Sequence, residues 1–368
     1  MRTTAVARLG AGRLADARGA APYKLQMAAV SSRRGLLFVA LRARVSVYAI
    51  AHRARPPVLR GRLERSAPGR ASDEINAITL GCLHGVEILV AVYDSGQAVA
   101  WSLRDDFPVL WVWSGAASTW GCAISPASGA VATSANSRLI RVCSGGTPAP
   151  HRETMFLRGH GHNIPCVQFS PCGTYLASAS IDQTVRVWAL PGGRCVFAFA
   201  YTQWCCGVPE SDGSGPSAAP PLLLLCSTAA DLLLLDPASQ ESPVVDRIER
   251  VVSRSARPAW PETEPFDRVT FLEWIPKLGI AVAGSLSGTV AIVSLCAPAG
   301  GARTEARMHV LERIPEHAPA SQLYGTAVYH HPEDTPQSAA AVLYLLFLDG
   351  EVMAYELRRS AAGAHIPI

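Results

Sequence analysis

Short apolar runs recur along this chain in pairs, each pair joined by a polar turn and closed by a bulky residue. LLFVAL and VSVYAI flank Arg42; ILVAVY leads through Asp94-Ser95-Gly96 to Trp101; LLLLCS leads to LLLL, ending on Leu235. Runs of this length with alternating or continuous apolar character, bounded by Gly, Asp and Ser, predict β-strands. Seven such units fit the chain: Gln26–Ile50, Asn76–Leu103, Ser118–Ser144, Leu157–Leu190, Tyr201–Asp236, Arg268–Leu295 and Leu323–Leu357. Their closing residues are Tyr48, Trp101, Cys143, Trp188, Leu235, Val293 and Tyr355, at intervals of 53, 42, 45, 47, 58 and 62 residues. One unit alone cannot bury both faces of its small sheet, so recurrence predicts a closed array of stacked units. The longer intervals hold insertions, and loops are expected at 53–72, 207–221 and 237–265. Fourth strands are predicted at Phe107–Trp113, Thr154–Leu157, Val196–Ala200 and Met308–Ile314. Residues 1–24 read as an N-terminal extension whose segment Thr4–Leu9 closes the array, 25–357 as the array itself, and 358–368 as a tail.

The fourth unit is the clearest. It opens on Gly159-His160, turns at Ser170-Pro171-Cys172-Gly173, turns again around Asp182-Gln183 and ends on Trp188. This stretch resembles a WD repeat, although Ala189 stands where the name-giving Asp usually follows the Trp. The resemblance implies an all-β fold, a seven-bladed WD-repeat β-propeller, in which His160, Ser178, Asp182 and Trp188 form a hydrogen-bonded chain that pins the blade. Buried polar groups are tolerable when all are partnered, so this tetrad reads as a structural lock.

Composition agrees with a packed core: 49% of residues are hydrophobic and 17% charged, and no apolar run reaches the length of a membrane span. The net charge of +4, from 33 basic and 29 acidic residues, demands no nucleic-acid partner. The two lysines rule out a phosphate loop, since Lys24 follows Tyr23 and Lys277 follows Pro276 rather than Gly. No His precedes Glu, and Gly284–Gly288 has Leu286 where a nucleophile elbow needs Ser, so no catalytic set emerges. The ten cysteines lack zinc spacing and read as reduced core thiols, among them Cys166, Cys226 and Cys296. The Arg–Ala composition of 1–24 is shared by mitochondrial transit peptides, but the segment has no Ser and no apolar helical face.

Candidate binding residues are therefore sought on loops. His160-Gly161-His162 has the alternate spacing of a strand metal pair, but His160 belongs to the lock and no acid or Cys cluster accompanies it, so neither metal nor cofactor is expected. His162 and Asn163 fall in the loop between one unit's last strand and the next unit's first. With Trp120, Trp204 and Tyr324 they form the set of candidate partner contacts, aromatic residues being frequent anchors and also frequent core. The insertion after the first unit carries Arg53, Arg55, Arg60, Arg62, Arg65 and Arg70 against Glu64 alone. Three readings of this basic patch compete: a solvated linker, a nuclear-import signal, or a phosphate-contacting loop without aromatic residues for base stacking.

Several blocks resemble one family, the fungal WD-repeat constitutive ribonucleotide-reductase transcription regulators. They are NAITLGCLHGVEILVAVYDSGQAVAW at Asn76–Trp101, GHGHNIPCVQFS at Gly159–Ser170, FLEWIPKLGIAVAGSLSGTVAIVSL at Phe271–Leu295, ERIPE at Glu312–Glu316, QLYGTAV at Gln322–Val328 and LLFLDGEVMAYEL at Leu345–Leu357. The resemblance implies a non-enzymatic scaffold in the nucleus, the cytoplasm or both, monomeric within a complex of transcriptional regulators. Two alternatives are carried: a substrate receptor for a cullin-type ubiquitin ligase, and a nucleic-acid-binding propeller that uses the Arg-rich loop. The first alternative usually shows Trp-Asp-x-Arg at the repeat end, and here Trp188 is followed by Ala189-Leu190-Pro191.

Overall fold

Period-two alternation sends every second side chain to one face of a strand, and the computed structural model shows where those faces meet. It describes residues 3–14, 24, 26–51, 55–64, 73–115, 117–144, 153–200, 223–239, 241–253, 268–296, 305–317, 321–330 and 340–360. All regular elements among the described residues are strands, arranged as seven small antiparallel sheets. The first strand, β1 (Thr3–Arg13), belongs to the last sheet. Blade 1 runs β2 (Ala28–Ser31), β3 (Leu36–Leu41), β4 (Arg44–Ala49), β5 (Val58–Leu63). Blade 2 is β6 (Ile75–Leu83), β7 (Val86–Tyr93), β8 (Ala98–Ser102), β9 (Val109–Trp113). Blade 3 is β10 (Thr119–Ser125), β11 (Ala130–Ala135), β12 (Leu139–Ser144), β13 (Glu153–Arg158). Blade 4 is β14 (Cys166–Phe169), β15 (Tyr175–Ala179), β16 (Thr184–Ala189), β17 (Arg194–Ala200). Blade 5 shows β18 (Leu224–Ser227), β19 (Leu232–Leu235) and β20 (Val244–Ile248). Blade 6 is β21 (Val269–Ile275), β22 (Ile280–Ser285), β23 (Val290–Cys296), β24 (Arg307–Ile314). Blade 7 is β25 (Leu323–His330), β26 (Ala340–Phe347) and β27 (Glu351–Ser360), completed by β1. The molecule is a seven-bladed β-propeller.

Six of the seven closing residues lie on the third strand of their blades, Leu235 lies on the middle one of the three described strands of blade 5, and all seven are buried. In five blades the register to the outer strand slips just before that residue, as between Val47 and Tyr48 or Val187 and Trp188. The extra residue falls on the outer strand, which sharpens the local twist. Apolar packing gathers at the seams between blades rather than at one centre. Val187 and Phe197 of blade 4 share a cluster with Leu224, Leu233 and Leu235 of blade 5. Trp111 and Trp113 of blade 2 pack with Val131 and Cys143 of blade 3 and stack at 4.1 Å, with the Arg141 guanidinium 5.0 Å over Trp113.

The domain boundaries need correction at several points. The segment 53–72 is not loop throughout, because Val58–Leu63 forms the outer strand of blade 1, anchored by the buried Leu63. The segment 237–265 likewise contains β20, whose Val244 pairs with Leu235. Within 1–24 the expected closing segment Thr4–Leu9 does close the ring, as part of a longer strand: β1 pairs with β27 from Thr3↔Ser360 to Arg13↔Glu351, and Leu14 is buried. The tail begins inside a strand, since β27 continues to Ser360. The expected loop at 207–221 and the start of the fifth unit, 201–222, lie outside the described residues.

Candidate functional site

The WD-like sequence repeat and the structural blade are offset by one strand. Leu157 and Arg158 end the outer strand of blade 3, and His160 then crosses the seam to reach Asp182 in the β15–β16 turn of blade 4. Trp188 Nε1 donates to Ser178 Oγ at 2.8 Å, and Ser178 Oγ lies 2.7 Å from His160 Nε2. His160 Nδ1 lies 2.9 Å from Asp182 Oδ2. An indole can only donate and a carboxylate can only accept, so the chain runs one way: Ser178 donates to Nε2, and Nδ1–H donates to Asp182. That order requires a neutral imidazole. Burial pushes the His160 pKa below 6.5, outweighing the upward pull of Asp182. Burial also raises Asp182, but hydrogen bonds from Thr184, Gly161 N–H and His160 prevail and hold its pKa at about 2. Every polar atom of the tetrad is partnered, as a structural lock requires.

Other blades hold a turn acid by different means. Asp94 of blade 2 accepts from Asn76 Nδ2 at 2.8 Å and faces Lys24 Nζ at 3.6 Å. Lys24 is 2% exposed and also binds Glu74 at 2.9 Å and the Ile75 carbonyl at 2.9 Å. Asp231 of blade 5 is gripped by Arg247, and Asp349 of blade 7 pairs with Arg13 of β1 at 3.6 Å. Each acid sits at the same turn, yet its partner comes from a different element.

The candidate contact residues do not form one cluster. His162 is exposed, and its Nδ1 accepts from Asn163 N at 2.8 Å. Asn163 is buried, with its carbonyl accepting from Ile181 N at 2.9 Å and Ser180 Oγ at 2.8 Å. Ser134 Oγ donates to the Ile164 carbonyl at 2.6 Å, which ties this loop to blade 3. Trp120 is half-buried at a register slip in β10. Tyr324 occupies the same kind of slip in β25, on the opposite side of the ring, and it is not a contact surface: it is 3% exposed. Its hydroxyl donates to the Ala40 carbonyl and so links blade 7 to blade 1. Tyr324→Phe is expected to lower stability by about 1 kcal/mol in thermal unfolding and to leave partner capture unchanged. Lost capture with an unchanged melting temperature would reinstate it as a contact. Trp204 lies outside the described residues.

The basic patch is correspondingly thinner. Arg60 and Arg62 lie on β5, and with Arg55 they are exposed along the outer edge of blade 1; Arg53, Arg65 and Arg70 lie outside the described residues. Charge on an exposed edge strand discourages pairing with other chains, which gives these arginines a physical role without any ligand. Among the described residues no group of three or more His, Cys, Asp or Glu could hold a metal ion, no helix is long and apolar enough to cross a membrane, and eight cysteines are free.

Sequence reasoning missed the centre of the ring. Inner strands line a cavity of about 480 Å³ whose described wall includes Thr270, Glu273, Trp274 and Thr326. Burial raises the Glu273 carboxyl to about 7, against a hydrogen bond from Thr326 that lowers it. The signal was an acid inside an otherwise apolar strand, VTFLEWI.

The model of the family described as WD domain, G-beta repeat matches residues 152–189, the outer strand of blade 3 and three strands of blade 4. A WD40 repeat-containing protein of Dictyostelium discoideum is 39% identical over 133 residues, covering 36% of this chain and 20% of that protein. An uncharacterized WD repeat-containing protein of Schizosaccharomyces pombe is 28% identical over 139 residues, 35% of this chain and 29% of that one. Human ribosome biogenesis protein BOP1 is 31% identical over 119 residues, 32% of this chain and 15% of that one. The chain thus spans less than a third of the length of these relatives. None of their names refers to ribonucleotide reductase. A chain in the crystal structure of the mitotic checkpoint complex superposes with a TM-score of 0.66 at 14% identity, covering 97% of this chain and 91% of that one, a likeness of fold alone. The chain is a seven-bladed β-propeller that carries a WD repeat across its third and fourth blades, and its relatives are WD-repeat proteins.

Proposed function

We propose that this propeller is a non-enzymatic adaptor that holds protein partners in the control of ribonucleotide-reductase gene transcription, in the nucleus, the cytoplasm or both. The observation that carries the adaptor reading is the ring itself. Packed seams fix seven sets of loops relative to one another, so partners bind without the ring paying to order them. The transcriptional reading rests on the sequence blocks at Asn76–Trp101, Phe271–Leu295 and Gln322–Val328.

The test is affinity purification of the full chain from cells with mass spectrometry, alongside measurement of ribonucleotide-reductase transcripts after depletion. Transcriptional regulators in the captured set, with altered transcripts, are the expected result. Cullin-ligase subunits, ribosome-assembly factors, or RNA-dependent capture lost on removing residues 53–70 would each replace the transcriptional reading. Absence of any specific protein partner would overturn the adaptor reading.

A further inference from the structure

We infer that the free outer edge of blade 3 is a docking strip for an extended acidic segment of a partner protein, whose main chain pairs with β13 and whose side chains meet Phe156 and Arg158. This rests on the adaptor reading above and names the chemistry of one partner contact.

Phe156 is 51% exposed, the one aromatic among the large apolar side chains that the described residues leave open to solvent. It stands on β13, which among the described residues pairs with β12 alone. Every second residue of such a strand turns its N–H and C=O away from its neighbour, a template for another chain. Other outer strands guard that edge with charge or glycine near mid-strand. β5 carries Arg60, Gly61 and Arg62, β20 carries Asp246 and Arg247, and β1 carries Arg8 and Gly10. The centre of β13 is Met155, Phe156 and Leu157.

The side chains beside Phe156 set the charge of the ligand. Alternation places Thr154, Phe156 and Arg158 on one face, all exposed, and the ladder sets Cys143, Arg141 and Leu139 opposite them. Arg141 and Arg158 are cations, and none of the six is an acid. The Arg141 guanidinium lies over Trp113, and its Nε is buried with no hydrogen-bond partner. Trp111 Nε1, from the ring stacked on Trp113, is also buried without a partner, and an indole can only donate. Positive charge and unused donors around an apolar platform match a carboxylate and repel a basic segment. A peptide strand has the same period of two. An acid two residues from an apolar residue therefore comes beside Arg158 when the apolar side chain covers Phe156.

The experiment uses the full chain and fluorescence polarisation of a labelled peptide, Thr-Glu-Thr-Phe-Thr-Glu-Thr, whose two acids serve either strand direction. Replacing both Glu by Gln, or transposing to Thr-Thr-Glu-Phe-Glu-Thr-Thr so that the acids face away from the Phe, should weaken binding about tenfold or more. Phe156→Ser should do the same by removing the anchor. Arg158→Glu should lose the Glu peptide and gain the counterpart with Lys in place of Glu. Both substituted residues are exposed, so both variants should keep the wild-type melting temperature. Equal binding of the Gln or transposed peptide, unchanged binding by Phe156→Ser, or no binding at about 1 mM peptide would overturn the proposal. So would a concentration-dependent dimer in sedimentation that Phe156→Ser abolishes, which would assign the edge to a second copy of this chain. Partner capture from cells separates the two readings: a partner set identical for wild type and Arg158→Glu removes the strip and leaves the adaptor standing.

Discussion

Removing residues 1–13 is expected to open the ring and produce the largest loss of any short deletion. Blade 7 receives three strands from the end of the chain and its fourth from the beginning, through ten paired positions between β1 and β27. Without β1, the long edge of β27 loses its partner, Val6 no longer packs on the blade 6–7 cluster, and Leu9 leaves the cluster at blade 1. The Arg13–Asp349 pair and the bond from Leu14 N to Gly350 O go with it or lose their support. Bringing the two ends of the ring together costs loop entropy, which the ten paired positions and the packing of Val6 and Leu9 outweigh in the intact protein. The truncated protein should therefore melt well below the intact one and aggregate through the exposed edge. Because Thr3 lies opposite Ser360, a permutant that joins the first strand after Ser360 through a short hairpin linker should recover the melting temperature. An unchanged melting temperature and a monomeric truncated protein would show that the closure contributes nothing.

Ser178→Ala is expected to cost about 3 kcal/mol, because one substitution strands two buried groups at once. Ser178 both donates and accepts within the lock; without its hydroxyl, Trp188 Nε1 loses its acceptor and His160 Nε2 its donor. Ser239→Ala, which removes an exposed hydrogen bond to Ser242, should stay within about 0.5 kcal/mol of wild type. Thermal unfolding of both variants decides the matter, and equal effects would show that the tetrad is not a lock. The same chain sets the response to acid. His160 has a lowered pKa in the folded state, so its contribution is complete above 6.5 and is lost as pH falls through that lowered value. The Asp182 contribution is complete above 3.8 and is lost as pH falls towards about 2. Both act in one direction, and stability should decline in two stages on acidification.

The blade count and the third strands were legible because burial enforces a bulky residue at one position per blade. Tyr48, Trp101, Cys143, Leu235, Val293 and Tyr355 differ in size and chemistry but are all buried. The locks were legible only in blade 4, and the reason is physical. A turn acid needs a donor and does not need a particular one, so Lys24 with Asn76, Arg247 and Arg13 serve Asp94, Asp231 and Asp349 from three different parts of the chain. Outer strands such as β5 and β20 were hidden because an edge tolerates Arg, Asp and Gly, which read as loop. Aromatic residues misled in one case: Tyr324 looked like a contact because its type is common to anchors and struts, and only its partner, the Ala40 carbonyl, distinguishes them. The cavity escaped notice since Glu273 lies within a strand whose neighbours all signalled core.

Ring closure also imposes an order on synthesis. The strand that completes blade 7 is made before the other strands of the ring and its partner after them, so β1 waits for the rest of the propeller, on the order of 20 to 70 s at ordinary elongation rates. During that interval both of its edges are open to any other strand nearby. Its sequence, TTAVARLGAGR, is poorly suited to premature pairing: two arginines repel close stacking and two glycines weaken isolated strand formation. The same features that make β1 a faint strand in the sequence let the nascent chain keep it in reserve until the last blade arrives.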